Sequence, residues 1–153
     1  MARRVPSVIE FEREAPAPLI EAIVRSSNGR GWVNVSPGDL GVLLETVPRP
    51  GPFTALLGGQ VKPFAIGTIV VGDPSVIGIL HPFGRLGRTG LADRGVTLPE
   101  GFLQRQDHAR RGLLIHCPTS ASAEQLATCT LELMDALNGV EFASTWTAEL
   151  YLR

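Results

Sequence analysis

RGLLIHCPTSASAEQLATCTLELMDALNGVEFASTWTAELYLR, residues 111–153, reads as strand, helix, strand. Gly112-Leu-Leu-Ile-His-Cys117 is a short apolar run that stops at Pro118. Ala123, Leu126, Ala127, Thr130, Leu133, Met134 and Leu137 then recur at steps of three and four, which gathers them on one helical face. Glu124, Thr128, Glu132 and Asp135 take the other face. Ser122-Ala-Glu-Gln125 has the form of a capping box and Asn138-Gly139 supplies a stop, so the spacing predicts a helix over residues 121–138. After it the period changes to two. Phe142, Ser144, Trp146, Ala148, Leu150 and Leu152 alternate with Glu141, Thr145, Thr147, Glu149 and Tyr151, which predicts a long final strand with one apolar and one mostly wet face.

Upstream of this unit, Ser7 to Arg13 suits a first strand. Pro16 and Pro18 fit the first turn of a helix, where a missing N–H costs nothing, and Leu19, Ile20, Ile23 and Val24 continue it until Ser26-Ser-Asn-Gly29. Trp32 to Val35 is a short strand, and Pro37-Gly38-Asp39 a turn. Leu40 to Val47 carries no assignable pattern, and Pro48-Arg-Pro-Gly-Pro52 is a stiff, extended connector. Phe53 to Leu57, Phe64 to Val71 and Val76 to Leu80 read as strands, the last two joined by Gly72-Asp-Pro-Ser75 as a hairpin. The expected fold is a single α+β domain over residues 1–153, a mixed β-sheet packed by two helices.

A chain of 153 residues holds one core and is short for two. With 44% hydrophobic and 19% charged residues it is no disordered chain, and its bland surface suits an assembled subunit. The net charge of -1 supplies no overall attraction to nucleic acid or to an anionic membrane. No apolar run approaches the ~20 residues that span a bilayer, and the start Met-Ala-Arg-Arg has no apolar stretch behind it. Neither membrane nor specific nucleic-acid binding is expected. The expected location is the cytoplasm, or a particle assembled there.

The period is lost from His81 to Arg111, a stretch that reads as one long loop rich in Gly and Arg. Its Arg85, Arg88, Arg94 and Arg105 are candidate interface residues. Gly84-x-x-Gly87-x-x-Gly90 has the glycine spacing of a phosphate loop but lacks an amphipathic helix behind it. Three readings stay open here: a flexible basic connector, a docking loop ordered by a neighbouring subunit, or a phosphate pocket.

Elsewhere the chemistry is sparse. His81, His108, His116, Cys117 and Cys129 match no zinc spacing, and a Cys–His nucleophile would require the fold to bring Cys117 to His81 or His108. Cys117 and Cys129 sit on separate elements, roughly 13 Å or more apart by helix rise, which predicts free thiols. Trp32 and Trp146 suit core or interface positions better than stacking platforms, since no basic residues interleave with them. No catalytic residue, cofactor or metal is expected.

The segment from Arg111 through Ala127, continuing from Leu131 to Ala136-Leu-Asn-Gly139, resembles tail-terminator and tail-completion proteins of long-tailed bacteriophages. There a strand ends in a Thr-containing turn, a helix opens with Ala and Glu, and an Ala-Leu-x-Gly signature closes it. The final strand, and the phrase Phe53-Thr-Ala-Leu-Leu-Gly-Gly-Gln-Val61, are also similar. The likeness covers about a third of the chain. It implies a structural subunit of the virion that forms a ring, commonly of six copies, capping the tail tube and joining it to the head, with other tail and neck proteins as partners. Two other classes remain: a ferredoxin-like small-molecule-binding or regulatory domain, and an enzyme of unknown type.

Overall fold

The computed structural model describes residues 5–38, 64–138 and 145–152. The expectations for Asp39, for 40–47, 48–52 and 53–61, and for Gly139, Glu141, Phe142 and Ser144 lie outside them. In chain order the described elements are β1 (Ser7–Glu12), α1 (Ala17–Gly29), β2 (Trp32–Pro37), β3 (Ile66–Val70) and β4 (Ser75–Leu80). They continue with α2 (Gly90–Asp93), β5 (Leu103–His108), β6 (Gly112–Cys117), α3 (Ala123–Leu137) and β7 (Thr145–Tyr151).

The α+β class and the C-terminal strand–helix–strand unit are as expected. The sheet, however, is not mixed: its seven strands run in the order β1-β7-β2-β3-β4-β6-β5 and every neighbouring pair is antiparallel. The strand–helix–strand units do not set their strands side by side. β7 lies between β1 and β2, while β2, β3 and β4 lie between β7 and β6.

Local chemistry explains the helix ends. Ser122 Oγ accepts from the Gln125 N–H at 3.1 Å and the Gln125 side chain accepts from the Ser122 N–H at 2.9 Å, so the predicted capping box forms. At the far end Asn138 Oδ1 accepts from the Ala65 N–H at 2.7 Å, tying the close of α3 to the approach to β3. α1 carries Pro in its first turn and runs through Gly29; Arg30, not the glycine, takes the left-handed conformation (φ 54°), and the Gly31 N–H caps Ser26 O.

α1 and α3 pack against each other and on the same sheet. The face they cover is apolar: Val33, Val35, Ile69, Ile77, Ile79, Leu113, Ile115, Ala148 and Leu150 are buried. Gly67 lets α3 come close, since a Cβ there would sit 2.9 Å from Thr130 Cγ2 and 3.0 Å from Met134 Sδ. The predicted helical stripe is buried from Leu126 to Leu137, but so are Cys129 and Leu131 beside it.

The second sheet face corrects the expectation of a wet strand. Thr147, Glu149 and Tyr151 are 1%, 2% and 9% exposed, and Asn34, Ser36 and Thr68 beside them are buried as well. Alternation shows that the two faces of a strand differ, not that the polar one meets water. Here polar groups satisfy one another. Thr68 Oγ1 donates to Asn34 Oδ1 (2.9 Å), Tyr151 Oη to Glu149 Oε2 (3.0 Å) and Thr147 Oγ1 to Gly38 O (3.2 Å). Trp32 stacks on Tyr151 at 4.7 Å, and Trp146 lies in the core.

Candidate interaction surface

The segment from His81 to Arg111 is not one long loop. It contains α2 and the edge strand β5, whose sequence Leu103-Gln-Arg-Gln-Asp-His108 alternates no apolar side chains because both of its faces are largely exposed. β5 pairs with β6 as a hairpin, with a bulge between Gln104 and Gln106. His108 Nδ1 accepts from the Arg110 and Arg111 N–H groups across the turn, at 3.1 and 3.2 Å. Gly112 opens β6 at φ 78°, in a position where a Cβ would meet Ile79 O.

A single carboxylate organises the first part of the segment. Asp107 on β5 accepts from the Leu86 N–H through Oδ1 and from the Gly87 N–H through Oδ2, both at 2.8 Å. Gly84 and Gly87 turn the chain there with positive φ. The two amide donors that a phosphate loop would offer are thus turned on the protein's own Asp107, and the four-residue α2 behind them supplies no long dipole. Phosphate binding by Gly84-x-x-Gly87-x-x-Gly90 finds no support in this arrangement.

Next to Asp107 lies His81, only 6% exposed. Its Nδ1 accepts from the Phe83 N–H at 3.2 Å, which places the proton of the neutral ring on Nε2, a buried atom without a hydrogen-bond partner among the described residues. Burial lowers the His81 pKa from its ordinary value; Asp107 acts in the opposite direction and Arg94 adds to the lowering. The Arg94 guanidinium lies 4.9 Å from the Phe83 ring centroid and donates to Gly90 O at 3.2 Å.

All four candidate residues, Arg85, Arg88, Arg94 and Arg105, are exposed. The structure sets Arg85 and Arg88 in the Asp107-held turn, Arg94 just after α2, and Arg105 at the β5 bulge. None of them forms an ion pair among the described residues, where Arg13 to Asp135, at 2.7 Å, is the one that forms. Sequence reasoning missed Asp107, because an acidic residue in a charged, patternless stretch gives no sign of the amides it will meet.

The Cys–His nucleophile is excluded by topology. Cys117 pairs with Ser75 at one end of β4, whereas His81 follows Leu80 at the other, about 20 Å away at strand rise; His108 pairs with Gly112, at the opposite end of β6. Both cysteines are buried free thiols, as expected. Burial pushes Cys117 up to about 11, against a backbone hydrogen bond that lowers it, and pushes Cys129 up to about 12 with help from Cys117 and Glu132. No three His, Cys, Asp or Glu side chains converge among the described residues in a way that could hold a metal ion. Nor is any described helix long and apolar enough to cross a membrane.

Compared with protein-family models, curated proteins and solved structures, the chain matches none.

Proposed function

We propose that this chain is a structural subunit of a bacteriophage tail, assembling with copies of itself into a ring that terminates the tail tube and joins it to the neck. The observation that carries this reading is the Asp107-held segment, which presents Arg85 and Arg88 exposed and without ion pairs among the described residues. A surface held in one shape spends little ordering entropy on docking, and a guanidinium forms forked pairs with a neighbour's carboxylate. The correctly capped C-terminal unit, the part of the chain that resembles tail-terminator proteins, is consistent with the same reading.

Reversing Arg85→Glu together with Arg88→Glu tests it. The free subunit should keep its melting temperature, because both side chains are exposed and neither forms an ion pair among the described residues. Ring formation in electron micrographs and tail completion in an assembly assay should both drop. Assembly at the wild-type level would remove these arginines as the docking surface.

A further inference from the structure

The two outermost strands, β1 and β5, leave both edges of the sheet open among the described residues. Their charges are opposite. On and just after β1, Glu10 and Glu14 are exposed, while the intervening Arg13 is engaged by Asp135 at 2.7 Å. On and just after β5, Arg105, Arg110 and Arg111 are exposed, and the one carboxylate of that strand, Asp107, is occupied by the Leu86 and Gly87 amides. Each edge also shows water a large apolar side chain: Val8 is 51% exposed and Leu103 is 51% exposed. The pairing registers put both on the sheet face away from α1 and α3, Val8 in the row of Glu149, Asn34 and Thr68, and Leu103 in the row of His116 and Val76.

We infer that the β1 edge of one copy docks on the β5 edge of the next, with Glu10 and Glu14 facing Arg105 and Arg110 and with Val8 against Leu103. Three physical points select this occupant. A β1 edge meeting a second β1 edge would oppose glutamate to glutamate, and β5 against β5 would oppose arginine to arginine. The charges and the bulge on β5 keep ordinary exposed strands away, yet an acidic strand turns those same charges into attraction. Finally, β1 and β5 stand at opposite ends of an unbroken antiparallel series and run in the same direction. Their contact therefore joins unlike surfaces head to tail, the type of interface that repeats into a ring when the rotation closes. This inference rests on the ring reading above only for that closure.

The test uses the purified full chain in sedimentation velocity. Wild type should self-associate at low ionic strength and dissociate as salt shortens the screening length to a few ångströms. One variant carries Glu10→Arg with Glu14→Arg, a second carries Arg105→Glu with Arg110→Glu, and circular dichroism checks that both are folded. Each alone should associate about tenfold or more weakly. Mixed in equal amounts they should recover, because each reversed edge then finds an opposite charge on the other variant. A wild-type chain that stays monomeric at every concentration overturns the contact, as does a mixture of folded variants that fails to recover. Association through these edges by a protein absent from tail particles keeps the contact and sinks the phage assignment; tail rings built normally from either variant do the reverse.

Discussion

Leu133 is fully buried in α3, while its neighbour Glu132 is exposed. Leu133→Ala should lower the urea unfolding free energy by about 2–5 kcal/mol, since the transfer loss is joined by a cavity that the sheet cannot fill. Glu132→Ala should stay within about 0.5 kcal/mol. This contrast was readable from the three-and-four spacing, but the burial of Cys129 and Leu131 was not. Periodicity shows which residues meet the sheet; it is silent on flanks, and here α1 packs beside α3 while residues 94–99 run along it, past Cys129 and Glu132. His81 supplies a second expectation at this scale. Its folded pKa is lowered, so the unfolded chain binds the proton more readily. The stability His81 contributes is whole above pH 6.5, is lost as pH falls from there through the folded value, and then levels off. His81→Asn keeps an acceptor near the position of Nδ1 but cannot titrate. Its melting temperature should therefore fall less than that of wild type between neutral and mildly acidic pH; parallel curves for the two proteins would clear His81 of the acid sensitivity.

Among the elements, the hydrophobic ones were legible and the polar ones were not. β3, β4, β6 and α3 bury mostly apolar residues, so composition and period mark them. β5 has backbone partners on one side only among the described residues and takes its side chains mostly from Gln, Arg, Asp and His, a pattern that looks the same in an edge strand and in a loop. The turn at residues 84–87 was harder still, because a carboxylate some 20 positions away in sequence supplies its order. Asp107→Ala should therefore act locally. Amide exchange at Leu86 and Gly87 should quicken on the order of tenfold, as each loses a hydrogen bond to a charged acceptor, whereas Ile69 and Ile77 in the central strands should keep their protection. Uniform loss of protection across the sheet would mean that the turn and the sheet unfold as one unit.

For the molecule as a whole, local patterns gave the class but not the way the strands interleave. Nothing in residues 145–152 announces that they will pass over β2, β3 and β4 to settle between β2 and β1, because register between distant strands is decided by which apolar rows fit beneath α1 and α3. The candidate surface was legible as residues, the exposed arginines, and illegible as geometry, since Asp107 and the opposed edge charges exist only once the chain is folded. That placement of β7 also sets an order of events. β1 has β7 as its sole sheet neighbour among the described residues, so the earliest of the described strands in the chain waits for the latest of them to find its place. Closing so long a loop is the costly step in folding. Until it closes, the acidic edge of β1 does not exist as a surface, and a copy whose β7 is not yet in place cannot recruit a neighbour through it.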